Sequence, residues 1–233
     1  METLHDATLG ALKLLFSGNV ELWEIIAISF RVSCIAIVVA TIPALMAAFA
    51  LTYARFPGRR LIISINSTLL SVPAVVVGLT LYILFSRSGP LGDWRLLFTQ
   101  TAMVAGQIVL AFPILVAMGH SALQAADKRA WETARTLGAS PLRALYTVMR
   151  EARFGLMAAL LAGFGRIVAE VGASMMLGGN ILHYTRNIPT AIALETSKGE
   201  FAQGIALGIV LLTLAFTLNT LLQYIQGKGQ PVT

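Results

Sequence analysis

Long apolar stretches separated by compact polar loops set the plan of this chain. Residues 32–54, 61–86, 96–126 and 201–227 each contain no Asp, Glu, Lys or Arg. A fifth stretch, roughly Phe154 to Leu177, is equally apolar except for Arg166 and Glu170. About 20 apolar residues cross a bilayer as a helix, so each stretch is long enough for one span. The runs are continuous rather than alternating, which excludes the strands of a membrane β-barrel, the other structure that can span lipid. The pattern therefore predicts an all-α, polytopic membrane protein. It forms a single transmembrane domain over 1–233, with spans near 24–53, 61–85, 100–125, 154–178 and 202–225. Composition agrees: 57% of residues are hydrophobic and only 12% charged, about half the share of roughly 25% usual in soluble domains.

Loop charge sets the orientation. One set of alternating loops carries the three arginines of Arg55–Arg60, six Lys/Arg in 127–153, and Lys228. The other set carries Lys13, Arg87, Arg95, Arg186 and Lys198. Basic residues collect on the cytoplasmic side, which puts the N-terminus outside and both the 127–153 loop and the C-terminus inside. Glu2 and Asp6 stand where a secretory signal would be basic, so the first twenty residues read as a short amphipathic helix on the outer interface. The net charge of +6 lies mainly in the inner loops, without the basic stripe interleaved with aromatics that nucleic-acid binding needs.

Within the spans, Pro43, Pro73 and Pro113 each predict a bend, because proline removes a backbone hydrogen bond and crowds the preceding turn. Gly165, Ala169 and Ala173 fall on one face at helical spacing, as do Gly204 and Gly208; such faces let helices pack closely in lipid. Arg166 and Glu170 lie four apart. Paired, they lower the cost of charge at membrane depth, and they are expected to face the bundle interior as a gate or as a structural lock. Arg31 is shallow enough to snorkel to the outer interface.

The only cysteine, Cys34, is expected to be buried in the first span; a lone cysteine permits no intrachain disulfide. His5, His120 and His183 are scattered without metal-ligand spacing, so no metal site is expected. There is no phosphate-binding loop, since Gly227-Lys228-Gly229 lacks the upstream glycine. No catalytic set sits on a credible pocket, so an intramembrane enzyme is disfavoured. Any ATP-driven work would therefore draw its energy from another polypeptide, and this chain is expected to bind no cofactor itself.

The 127–153 loop carries Glu132-Thr133-Ala134, then Gly138, then Val148 ten residues later. This resembles the EAA-x3-G-x9-I loop of membrane permease subunits in ATP-binding-cassette importers. Thr133 replaces the central Ala of that pattern, and Arg150-Glu151 stands where Leu-Pro is usual. The resemblance implies a cytoplasmic helix pair that docks on a separate ATPase, and it argues against a channel or carrier that works without ATP. Further on, EVGASMMLGGN (Glu170–Asn180), Thr185-Arg186 and TAIALETSKGEF (Thr190–Phe201) resemble tungstate permeases within the molybdate/sulfate/tungstate branch.

That resemblance implies a type I importer permease fold in a bacterial or archaeal cytoplasmic membrane. It also implies a homodimer with a shared pathway, two ATPase subunits below that consume the ATP, and an extracytoplasmic protein that delivers an oxyanion. Molybdate or sulfate is the alternative substrate. A tetrahedral dianion calls for hydroxyls, amides and backbone N–H groups. Ser174, Asn180 and Thr185, near the outer end of span four, could supply them or could be ordinary loop and helix-end residues.

Overall fold

The computed structural model describes residues 16–126 and 128–227 together with Gly10 and Lys13; the amphipathic helix expected over the first twenty residues lies largely outside them. Among the described residues every regular element is a helix. The first, α1 (Val20–Tyr53), starts where the Asn19 carboxamide accepts from the Leu22 amide at 3.1 Å. It ends at Ala54, before the arginine-rich loop. Its inner face is a run of small residues, Ala36, Ala40, Ala44 and Ala48, all fully buried. With no hydrophobic drive between helices in lipid, such a stripe allows close van der Waals packing. Helix α4 (Gln100–Ala125) packs along it, and a Cβ added to Gly119 would stand 3.2 Å from Ala48 Cβ. The opposite face of α1 leaves Val38, Val39, Ile42 and Met46 exposed. Cys34 is exposed on this outer surface, not buried as expected.

The prolines behave differently from one another. Pro43 and Pro113 are absorbed inside α1 and α4. Pro73 instead ends a helix, so the expected single span over 61–85 is two elements, α2 (Arg59–Leu70) and α3 (Ala74–Phe85), at 100°. Pro73 adopts φ −60° and ψ 133° and caps α3; proline also drives the residue before it out of helical geometry. The span near 154–178 is divided too, into α7 (Arg153–Val168) and α8 (Gly172–Gly178), bent by 61°. Three helices are long and apolar enough to cross a bilayer, or up to five spans if each bent pair counts as one.

The bend also overturns the expected stripe on span four. Gly165 faces Leu218, Ala169 is exposed in the turn, and Ala173 packs against Gly78 of α3. Gly204 lies 3.6 Å from the Thr196 hydroxyl by its projected Cβ, whereas Gly208 faces open space. The main core gathers Ala36, Ala40, Ala111, Leu115, Ile167 and Ala173, and so joins α1, α4, α7 and α8.

Two short helices, α5 (Lys128–Thr136) and α6 (Pro141–Glu151), form a hairpin outside the bundle. After α8 the chain forms α9 (Ile188–Lys198), which packs on the start of the last helix, α10 (Phe201–Gly227).

Candidate functional site

The α5–α6 hairpin is shaped by local signals. Gly138 stands at φ 82° between the helices, a left-handed conformation open to glycine at little cost. The Leu137 amide donates to the Thr133 carbonyl and the Ala139 amide to the Ala134 carbonyl, closing α5. Ser140 then accepts from the Arg143 amide, and Pro141 opens α6. Ala144 and Val148 are fully buried and tie α6 to the bundle. Trp131 ties α5 through ring contacts to Phe49 at 5.3 Å and Tyr53 at 5.4 Å. The other face is left uncovered: Leu137 is 82% exposed, Leu142 78% and Tyr146 67%. Glu132 and Thr133 are exposed and Ala134 half-buried, so the motif residues share this elbow. Glu132 also lines a cavity of about 400 Å³ with Arg55, Arg59, Gln124 and Trp131.

Force applied to this hairpin has a short route inward. Only Ala152 separates the end of α6 from the start of α7. At the far end of α7, Arg166 and Glu170 meet at 2.7 Å across the bend. The second Glu170 oxygen accepts from the Gly172 amide at 2.9 Å and the Ala173 amide at 3.4 Å. One buried carboxylate therefore binds the guanidinium behind it and caps the helix ahead. The expectation that both charges face the interior needs correcting: the Glu170 side chain is 7% exposed, but that of Arg166 is 47% exposed. Arg166, in the last turn of α7, stays half-exposed while its guanidinium reaches Glu170.

The bend sits against the other broken span. A Cβ on Gly172 would come within 4 Å of both Val75, in the first turn of α3, and Glu170. Sequence reasoning missed Gln107, buried on α4, whose amide donates at 3.3 Å to the Ile167 carbonyl near the end of α7. The available signal was a glutamine near the middle of a charge-free window, where Gln100 and Gln124 lie towards its ends.

The remaining candidates separate. The Ser174 hydroxyl is buried without a partner, and Asn180, at φ 53°, has a buried unpartnered carboxamide oxygen. Thr185 is fully buried; its hydroxyl donates to the Gly178 carbonyl and accepts from the Ile181 amide. With both roles used, Thr185 clamps the 178–185 turn. Nearby, Asn187 and Thr190 form a reciprocal cap on α9, and the Ile188 amide donates to the Ser29 hydroxyl of α1. The Asn-x-x-Thr spacing before an apolar run could have revealed this cap. Asn187→Ala is expected to cost about 1 kcal/mol, measured as a lower thermal midpoint of the detergent-purified protein; an unchanged midpoint would show that α9 is held by packing alone. No cluster of His, Cys, Asp or Glu able to hold a metal occurs among the described residues.

Residues 33–228 match the family described as binding-protein-dependent transport system inner membrane component. The chain belongs to this family. It is 42% identical over 219 residues to the tungstate uptake system permease protein TupB of Campylobacter jejuni, covering 94% of this chain and 92% of that one. Identity to the molybdenum transport system permease protein ModB of Escherichia coli K12 is 29%, over 86% of this chain and 90% of that one. Among solved structures, an amino acid ABC transporter with histidines superposes with a TM-score of 0.67 over 98% of this chain and 100% of its own, at 16% identity. At that identity the likeness speaks for the fold alone. The family is that of multi-pass membrane components of ABC importers, which implies separate ATPase and binding-protein subunits.

Proposed function

We propose that this chain is the permease of an ATP-driven tungstate importer. It works as a homodimer, with the N-terminus outside and the α5–α6 hairpin in the cytoplasm. The carrying observation is the hairpin itself: anchored by Trp131, Ala144 and Val148, it holds Leu137, Leu142 and Tyr146 away from the bundle. An apolar patch presented on an elbow marks a surface for a partner. In this reading the partner is the ATPase, which supplies all ATP chemistry, while this chain has no catalytic role. Closure of the ATPase pair moves the hairpin, Ala152 passes the movement to α7, and the Arg166–Glu170 bend carries it to α8 and α3. Two broken helices in contact are a place where small tilts can open one side of a pathway and close the other.

Tungstate is favoured over molybdate by the 42% identity to a tungstate permease against 29% to a molybdenum permease. Cells carrying the system are expected to accumulate tungsten from trace tungstate, deletion of this chain to abolish that uptake, and excess sulfate to compete poorly. Elemental mass spectrometry reads the outcome. Uptake that follows molybdenum and ignores tungsten overturns the substrate and leaves the importer intact. Uptake that persists without the ATPase overturns the importer.

A further inference from the structure

Between α1 and α2 the chain reads Arg55-Phe56-Pro57-Gly58-Arg59-Arg60, with no acidic residue. Arg55, Phe56, Gly58, Arg59 and Arg60 line one cavity of about 390 Å³. The Arg59 guanidinium is fixed there, because its Nε donates to the Leu51 carbonyl in the last turn of α1. Arg55 and Arg60 are exposed, and neither has an ion pair among the described residues. Immediately beyond the arginines, the first turns of α2 expose Leu61, Ile62 and Ile65. Glu132 lies on the neighbouring cavity, which shares Arg55 and Arg59, and it pairs with neither.

We propose that this pocket binds the phosphate headgroup of an anionic phospholipid. Three arginines line a space at the point where a span leaves the bilayer, and planar guanidinium forks suit phosphate oxygens. The uncovered apolar side chains beside them give the acyl chains a surface on the same helix. Basic pockets between membrane helices on the cytoplasmic side are suited to anionic headgroups. The site stands on the cavity and its residues; only the choice of leaflet follows from the proposed orientation. A lipid seated here would hold the α1–α2 corner, from which the 100° bend at Pro73 is one short helix away.

The test uses the full-length chain in phosphatidylcholine nanodiscs with and without phosphatidylglycerol, followed by native mass spectrometry of retained lipid. Phosphatidylglycerol is expected to be retained in preference to phosphatidylcholine. The Arg55→Gln/Arg60→Gln double variant leaves the Arg59 anchor untouched. It is expected to weaken that retention roughly 30-fold, which is about 2 kcal/mol for two arginines at about 1 kcal/mol each. Arg150→Gln, which removes a charge elsewhere on the same side, is expected to retain lipid normally. Equal retention of both lipids, or normal retention by the double variant, overturns the proposal. Displacement by excess inorganic phosphate reassigns the pocket to a soluble anion. Unchanged lipid retention with loss of ATPase co-purification reassigns it to a protein contact. Apart from the ATPase co-purification, every outcome reads bound lipid and is independent of the transport reading.

Discussion

Glu132→Lys and Gly138→Val are each expected to leave the permease inserted in the membrane while ATP-dependent uptake falls to background. Glu132 is exposed on a hairpin whose opposite face is pinned to the bundle, so reversing its charge leaves the core packing untouched. Its effect then falls on whatever docks there and on the cavity that Glu132 shares with Arg55 and Arg59, where a lysine adds a third positive charge. Gly138 acts through the backbone. At φ 82° an L-residue costs roughly 1–2 kcal/mol, and a β-branched one more, although the space around the position is open. The loss therefore comes from strain in the turn, not from a clash. Valine would relax by swinging α5 relative to α6, which separates Glu132 from Leu142 and Tyr146. Membrane extracts should contain the variants at normal levels, ATPase co-purification should drop, and vesicle uptake should vanish. A Glu132→Lys protein that binds the ATPase and transports normally would falsify the coupling role.

How much of this was readable beforehand differs from element to element. The apolar windows coincide with helices or bent helix pairs long and apolar enough to cross lipid, because charge-free length is what decides this. The hairpin is expected only through the resemblance of residues 132–148 to the importer loop; Gly138, Ser140 and Pro141 are the local turn and cap residues that form it. Which face of a span is buried was not legible. Core and lipid are both apolar, so the pattern around Cys34 carries no sign of direction, and Cys34 turned out to be on the outside. The fate of each proline was hidden for a related reason. Pro43 and Pro113 lie within helices that pack extensively on each other, whereas Pro73 lies between α2, which is mostly uncovered, and α3. The bend after Val168 had a signal that was read only in part. Glu170 was seen as a partner for Arg166, but a carboxylate two residues before Gly172-Ala173 is also placed to cap a new helix. For Thr185 the sequence leaves an anion donor and an ordinary loop residue equally open, because hydroxyls look alike in sequence; the fold uses its hydroxyl in the turn.

The double role of Glu170 leads to the second large expected effect. Arg166→Met is expected to lower the amount of correctly assembled permease several-fold, because it strands a nearly buried carboxylate with only backbone donors. Removing one partner of a buried pair costs about 3–5 kcal/mol; half-exposure of the guanidinium puts the cost here below that range. Glu170→Gln leaves an acceptor for the Gly172 amide but no counter-charge for Arg166, so its damage falls on the ion pair and spares the cap. The Arg166→Met/Glu170→Gln double variant then has neither stranded charge and keeps the cap. It is expected to recover most of the assembly lost in either single variant, read by fluorescence-detected size-exclusion of the tagged protein. Transport is expected to stay low, because the link between α7 and α8 through which the hairpin is proposed to act on α3 is weakened. If the double variant assembles no better than the singles, the two side chains do not work as a pair and the bend is held by packing around Ile167 and Ala173. If it both assembles and transports normally, the pair is a structural lock with no part in moving the pathway.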